Sequence, residues 1–304
     1  MSESLVLGFG DYRAQGKRLA EALRAPYREV EVHRFPDGES RLRLPIDLPK
    51  RVLVCRSLDR PNDKLVELVL ASRTARDLGA REVVLVAPYL CYMRQDAAFR
   101  PGEAVSKRVI GTLLSGWFDA LVTVDPHLHR IASLDQVIPG IPVLAPTAAP
   151  LMARFLKGHL DSPVLVGPDG ESEQWVQTVA REVGLDWVVG HKVRRGDREV
   201  QVTLPSWPYK GRHVVLLDDV ASTGHTLQSA VKGLVSTGAA SVSVLVCHPL
   251  FLEDAVAGLR SRGVRQIWST DSITHPSNAI SLAPVLAEAI HRGRLAPDGA
   301  TAPP

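Results

Sequence analysis

The run Val214-Val215-Leu216-Leu217-Asp218-Asp219-Val220-Ala221-Ser222-Thr223-Gly224-His225-Thr226 ends an apolar stretch in two carboxylates and follows them with a turn rich in glycine and hydroxyls. The backbone amides of such a turn, with the Ser222, Thr223 and Thr226 side chains, form a cradle for a monophosphate at the start of a helix, where the dipole favours an anion. Asp218 and Asp219 would repel that phosphate. Their place beside it makes sense if they bind sugar hydroxyls or a metal ion.

Other clusters offer complementary chemistry. In Tyr92-Met93-Arg94-Gln95-Asp96, Arg94 supplies a planar cationic fork suited to phosphate, the alternative being a structural salt bridge to Asp96 or Glu103. In Asp125-Pro126-His127 a neutral imidazole is available to a metal, or is simply a satisfied strand-end histidine, with His129 two residues on. Asp169, in Gly167-Pro168-Asp169-Gly170, is a further acid beyond an apolar run. His191-Lys192-Val193-Arg194-Arg195 concentrates cations, a composition usual for a solvated loop. Phe35-Pro36-Asp37-Gly38-Glu39 reads, taken bare, as a turn.

The elements that must position these groups are short β-branched runs at 52–54, 83–86, 121–124, 164–166, 187–189, 214–217 and 242–246, consistent with strands buried on both faces. Between them lie helically spaced apolar residues, as over 65–78, which Gly79 closes with a left-handed cap. Strand and helix alternation predicts an α/β fold with mainly parallel sheets. Arg56-Ser57, Arg94-Gln95-Asp96, Asp125-Pro126-His127, Pro168-Asp169 and Asp218-Asp219 all follow strands, and open parallel sheets bind ligands at their carboxyl ends. The Pro-rich passage from Pro139 to Pro150 places a boundary near residue 145, giving domains over 1–145 and 146–290 and a flexible tail over 291–304.

Composition narrows the function classes. With 36 Lys and Arg against 33 Asp and Glu in 304 residues, the chain lacks the strongly basic character of proteins that hold long nucleic acid. Three well-separated cysteines, Cys55, Cys91 and Cys247, form neither a disulfide framework nor a zinc site, which suits a reducing cytoplasm. No basic leader and no apolar run of about eighteen residues points to export or a membrane. There is no GxxxxGK[ST] phosphate loop, and Gly8-Phe9-Gly10 lacks the third glycine of a dinucleotide fingerprint.

The 218–226 segment resembles the phosphoribosyl-binding loop of phosphoribosyltransferases and of ribose-phosphate pyrophosphokinases. With the other motifs in order, from about residue 5 to about residue 290, the whole chain is similar to the pyrophosphokinases. The resemblance implies two similar α/β domains of the phosphoribosyltransferase type with the active site between them. It implies Mg²⁺-dependent transfer of the pyrophosphoryl group of ATP to the 1-hydroxyl of ribose 5-phosphate, yielding phosphoribosyl pyrophosphate and AMP. Phe35, Asp37 and Glu39 match the FxDGE element that reaches adenine in a neighbouring subunit, which implies a homo-oligomer with a shared ATP site. Arg94, Gln95 and Asp96 match YxRQD, assigned to ATP, and His127 matches the DxH histidine near Mg-ATP. Asp169 matches the PDxGG acid of the metal site, although Glu171 and Ser172 follow Gly170 where a second glycine is expected. Lys192 and Arg194 match the paired cations of a mobile catalytic loop, with Arg195 competing for the second place; Asp218, Asp219, Ser222, Thr223, Gly224 and Thr226 are the implied ribose 5-phosphate site. Ser222 and His225 stand where common bacterial members have Asp and Gly, and the residues after His127 differ too; these changes bear on allosteric sites and hexamer assembly. A phosphoribosyltransferase would need neither the Phe35 nor the Arg94 element. A silent regulatory subunit would not need Lys192 and Arg194.

Overall fold

The computed structural model describes residues 4–98, 100–128, 133–195, 199–252 and 254–293. Contacts divide the chain into unit 1, residues 1–147 with 272–274 and 281–304, and unit 2, residues 148–271 with 275–280.

Unit 1 runs through β1 (Ser4–Gly8), α1 (Arg13–Ala22), β2 (Tyr27–Glu29), β3 (Glu31–Arg34), β4 (Ser40–Arg43), β5 (Arg51–Cys55), α2 (Pro61–Asp77), β6 (Glu82–Val86), α3 (Ser106–Ser115), β7 (Ala120–Val122) and β8 (Val143–Leu144). Its sheet has the order β2-β1-β5-β6-β7-β8, parallel throughout, while β3 and β4 form a separate antiparallel ribbon. Val52, Leu53 and Val54 in β5 and Val83 to Val86 in β6 are all buried, as strands covered on both faces require. After α2, Gly79 takes φ +99° and the Ala80 N–H returns to the Ala75 carbonyl, the left-handed closure expected from its glycine.

Unit 2 repeats the scheme with α4 (Ala149–His159), β9 (Val164–Gly167), α5 (Glu173–Val183), β10 (Trp187–Val189), β11 (His191–Arg195), β12 (Glu199–Thr203), β13 (His213–Ala221), α6 (His225–Ser236), β14 (Ser241–Pro249), α7 (Ala255–Ser261), β15 (Val264–Thr270) and β16 (Asn278–Ile280). Its parallel sheet has the order β10-β9-β13-β14-β15-β16, with β11 and β12 as a second antiparallel ribbon. The last helix, α8 (Ala283–Arg292), packs on α1 in unit 1, and the chain from 294 onward, most of the expected tail, lies outside the described residues.

Two elements differ from the sequence reading. The 214–217 strand does not stop before its acids: β13 continues to Ala221 because Asp218, Val220 and Ala221 pair with Val246, His248 and Pro249 of β14. The cationic run at 191–195 is strand β11 rather than a loop, since Lys192 pairs with Val202 and Arg194 with Val200.

Each sheet starts with a central strand, adds one neighbour on one side, then grows from the other side. The strand order therefore reverses between β1 and β5 and again between β9 and β13. Ligands of open α/β sheets bind beyond the carboxyl ends at such reversals.

In α3 a Cβ on Gly111 would be driven into the Val137 carbonyl. Gly→Ala within a helix normally stabilises by up to about 1 kcal/mol, but a backbone clash here reverses the sign. Gly111→Ala is expected to cost about 2 kcal/mol or more in urea unfolding; an unchanged midpoint would refute the close approach.

Candidate active site

In unit 2 the strand reversal brings the end of β9 beside β13. Asp169 caps the short 3₁₀ turn Gly170–Ser172: its Oδ1 accepts from the Glu171 N–H (3.0 Å), while Ser172 Oγ donates to the Asp169 carbonyl (2.6 Å). This reciprocal cap does the work of the missing second glycine. Gly167 makes room for it, since a Cβ there would strike Ser172 Oγ. The other carboxylate oxygen of Asp169 accepts from Lys192 Nζ at 2.6 Å, and Glu171 lies 4.0 Å from the same nitrogen. Two of the sequence candidates, Asp169 and Lys192, thus meet directly. The side chain of Arg194, like that of Arg195, falls outside the described part of the structure.

Asp218 and Asp219 follow on β13. The Asp218 carboxylate accepts from the Asp219 N–H (3.0 Å), and the Asp219 carboxylate from the Val220 N–H (2.7 Å). Burial, then the negative charges of Asp219 and Asp169, push the Asp218 pKa well above the usual carboxylate range. Beyond them the chain bends through Ser222 and Thr223 to Gly224, whose φ of +74° opens α6. A Cβ at Gly224 would also press on Ala255. The left-handed residue is thus Gly224 and not His225, which starts the helix with an exposed side chain, so the imidazole costs the turn nothing. Thr226 sits in the first turn of α6, at the helix N-terminus that Gly224 opens.

Unit 1 treats its own reversal differently. Arg56, at the end of β5 and only 4% exposed, lies over the Phe9 ring at 4.2 Å. Its Nε donates to both Asp11 oxygens (3.2 Å each) and a terminal nitrogen to Glu67 Oε2 (2.6 Å). Lys64 joins them through Asp11 (3.0 Å), Asp59 (2.8 Å) and the Ser57 carbonyl (2.9 Å). A cavity of about 470 Å³ lined by Phe9, Gly10, Asp11, Arg34, Arg56 and Glu67 adjoins this network. Arg56, one of the clusters expected to face a ligand, is instead consumed internally.

The remaining unit 1 candidates follow β6 and β7. Arg94 is exposed, and among the described residues no ion pair joins it to Asp96 or Glu103. Gln95 is tied to α3 by Ser106 Oγ (3.0 Å), and Asp96 Oδ2 is buried without a hydrogen-bond partner among the described residues. His127 is half-buried, and its carbonyl accepts from Lys107 Nζ at 3.4 Å. Tyr92 and Asp125 reach φ +59° and +38°, a strained region for residues with a Cβ, just ahead of Arg94 and His127. His129 lies outside the described residues. Phe35, Asp37 and Glu39 form the exposed tip of the β3–β4 ribbon, closed by Phe35 N–H to the Glu39 carbonyl (2.8 Å) with Gly38 at φ +94°. Glu67 anchors this ribbon through Ser40 (2.8 Å) and Arg34 (3.3 Å). No hydrogen bond or ion pair among the described residues joins the tip to Arg94, Gln95 or Asp96.

Sequence reasoning missed Asp11, Glu67 and Lys107. Glu67 and Lys107 lie within helices, where a lone charge reads as solvent-facing, and Asp11 lies in the short turn before α1.

A parallel sheet whose order reverses between β9 and β13, with two acids and a Gly224 turn at the end of β13, puts unit 2 in the phosphoribosyltransferase class of α/β folds. Residues 145–277 match the phosphoribosyl transferase domain, and residues 6–117 match the N-terminal domain of ribose phosphate pyrophosphokinase. The ribose-phosphate pyrophosphokinase of Methanopyrus kandleri is 35% identical over 94% of this chain and 98% of its own length; that of Methanothermobacter thermautotrophicus is 32% identical over 93% and 99%. The chain belongs to the ribose-phosphate pyrophosphokinase family. The fold is shared with phosphoribosylpyrophosphate synthetase from Mycobacterium smegmatis, at a TM-score of 0.80 and 24% identity over 96% of this chain and 99% of that one.

Because the folded chain holds the Asp218 proton to higher pH than the unfolded chain, stability falls as pH climbs from the ordinary value of 3.8 through the raised one. Asp218→Asn removes that penalty. In EDTA it is expected to melt above the parent at pH 7, with the gap closing below about pH 4. A parent equally stable at pH 7 would refute the repulsion.

Proposed function

We propose that this chain transfers the pyrophosphoryl group of ATP to the 1-hydroxyl of ribose 5-phosphate. The 1-hydroxyl oxygen forms a bond to the β-phosphorus and gives up its proton to water, the bond from that phosphorus to the α-phosphate oxygen breaks, and AMP leaves with the electron pair. The observation carrying this reading is the unit 2 site, where an anion turn, two acids and a lysine converge at the strand reversal.

The roles follow from chemistry. The 222–226 turn takes the 5-phosphate on backbone N–H groups, while Asp218 and Asp219 accept hydrogen bonds from ribose hydroxyls. Lys192 and Arg194 gather positive charge where negative charge builds on the departing oxygen, the main contribution a protein makes to phosphoryl transfer. With Asp169 as its resting partner, Lys192 is held 2.6 Å from one carboxylate and exchanges it for a phosphate when nucleotide arrives. Arg94, Gln95, Asp96 and His127 in unit 1 are assigned to ATP. Phe35, Asp37 and Glu39 are assigned to the adenine held by a neighbouring copy, so the working enzyme is a homo-oligomer; the exposed position of that tip supports this.

A divalent metal, Mg²⁺ in our reading, fits the unit 2 acids, where the mutual repulsion felt by Asp218 calls for positive charge. Bound there, the ion would be held by a protein carboxylate together with oxygens from substrate phosphates and water, the usual partners of Mg²⁺. Asp169 in unit 2 is a protein donor we assign, and in unit 1 His127 offers an imidazole to Mg-ATP. Bound, the ion withdraws charge from the phosphates. A cytoplasmic location is supported by three free, buried cysteines; among the described residues no helix is long and apolar enough to cross a membrane.

Protein incubated with ATP, ribose 5-phosphate and Mg²⁺ is expected to release AMP in step with a pyrophosphorylated sugar. AMP without that sugar would sink the reading. Lys192→Ala is expected to lower turnover about a hundredfold or more with ribose 5-phosphate affinity nearly unchanged. The Asp218→Asn, Asp219→Asn double variant should instead weaken ribose 5-phosphate binding, and a calorimetric titration showing parent affinity would remove both acids from the sugar site.

A further inference from the structure

Lys107, the second residue of α3, has no exposed surface and no role so far. Burial lowers its pKa, opposed by the attraction of Asp96. Its Nζ donates to the carbonyls of His127 (3.4 Å) and Leu128 (3.2 Å). At the same end of the helix, the Lys107 N–H reaches the Gln95 carbonyl (3.4 Å) and Ser106 Oγ holds the Gln95 side chain (3.0 Å). One turn of α3 thus grips the segment that follows β6 and the segment that follows β7. Both segments carry backbone in the positive-φ region, at Tyr92 and Asp125, which persists only where surroundings enforce it.

A buried ammonium is expensive, and here it satisfies carbonyls of a connecting segment while no salt bridge among the described residues holds it. An apolar side chain would fill the space more cheaply if space were all that mattered. What only a long cationic donor supplies is a fixed position for the His127 backbone relative to Arg94, Gln95 and Asp96.

We propose that Lys107 is a positioning residue that sets the 125–128 segment against the 94–96 segment, so that the two together receive the triphosphate of one nucleotide. The inference rests on the assignment of those segments to ATP. It concerns unit 1 alone and leaves the ribose 5-phosphate site, in unit 2, untouched.

The test compares full-length parent, Lys107→Met and Lys107→Arg by thermal melting, by calorimetric titration with ribose 5-phosphate and separately with a non-hydrolysable ATP analogue plus Mg²⁺, and by steady-state kinetics. For Lys107→Met the expected result is a folded protein with ribose 5-phosphate affinity within about twofold of the parent, analogue affinity reduced about tenfold or more, and a matching rise in KM for ATP. Lys107→Arg, which keeps charge and donors in a bulkier fork, should lie between the two; should the Met variant fail to fold, the Arg variant decides alone by the same split. Analogue affinity equal to the parent's overturns the proposal. Equal weakening of both ligands alongside a lowered melting temperature overturns it too, since that is the mark of a merely structural lysine. A parent that binds no analogue defeats the ATP assignment itself, whereas a parent that binds it with an unaffected Met variant defeats only the role of Lys107.

Discussion

A parallel strand covered on both faces can carry charge only where it ends, and this molecule obeys that constraint twice. The strand orders β2-β1-β5-β6-β7-β8 and β10-β9-β13-β14-β15-β16 correspond position by position, with an antiparallel ribbon inserted after the second strand of each unit. Each unit therefore has one reversal, one crevice beyond it and one choice of what to put there.

The two units choose oppositely. In unit 1 the reversal is filled by Arg56, Lys64, Asp11 and Glu67, charges that satisfy one another and the Ser57 carbonyl. Such a network is weak evidence for stability, yet removing one partner would strand a buried charge at a cost of about 3–5 kcal/mol. In unit 2 the same position holds Asp169, Asp218 and Asp219, whose mutual repulsion is offset within the chain by Lys192. Stability is given up at that point, which is the signature of a site that completes its electrostatics with a ligand.

Much of this was legible in the residues. The β-branched runs marked the central strands because strands buried on both faces must be apolar throughout, and Gly224 marked a turn because a positive φ there favours glycine. What was not legible depended on partners distant in sequence. The extension of β13 past its acids is decided by nine-residue β14 alongside it, and β11 is a strand because β12 answers it, despite a composition suited to a loop. Glu67 and Lys107 are ordinary helix-formers by type, and nothing local says that their helices turn them inward. The Asp169 to Ser172 cap was not read from the sequence, where Glu171 and Ser172 stood only as departures from an expected glycine.

The ribbons show where the units diverged. Both leave their sheets after the second strand, so neither is bound by the demand that buried strands be apolar, and polar chemistry accumulates on them at little cost to the core. On the β3–β4 ribbon the tip carries Phe35 and Glu39 exposed, held at its base by Glu67, the same carboxylate that neutralises Arg56. On the β11–β12 ribbon the first strand carries Lys192 down onto Asp169. One ribbon is thus tied to a closed reversal and presents its tip outward, while the other is tied to an open reversal and delivers a cation into it. The difference follows from whether the crevice beneath has already been neutralised: a ribbon lysine finds a partner only where an acid at the strand end has been left unpaired by the sheet itself.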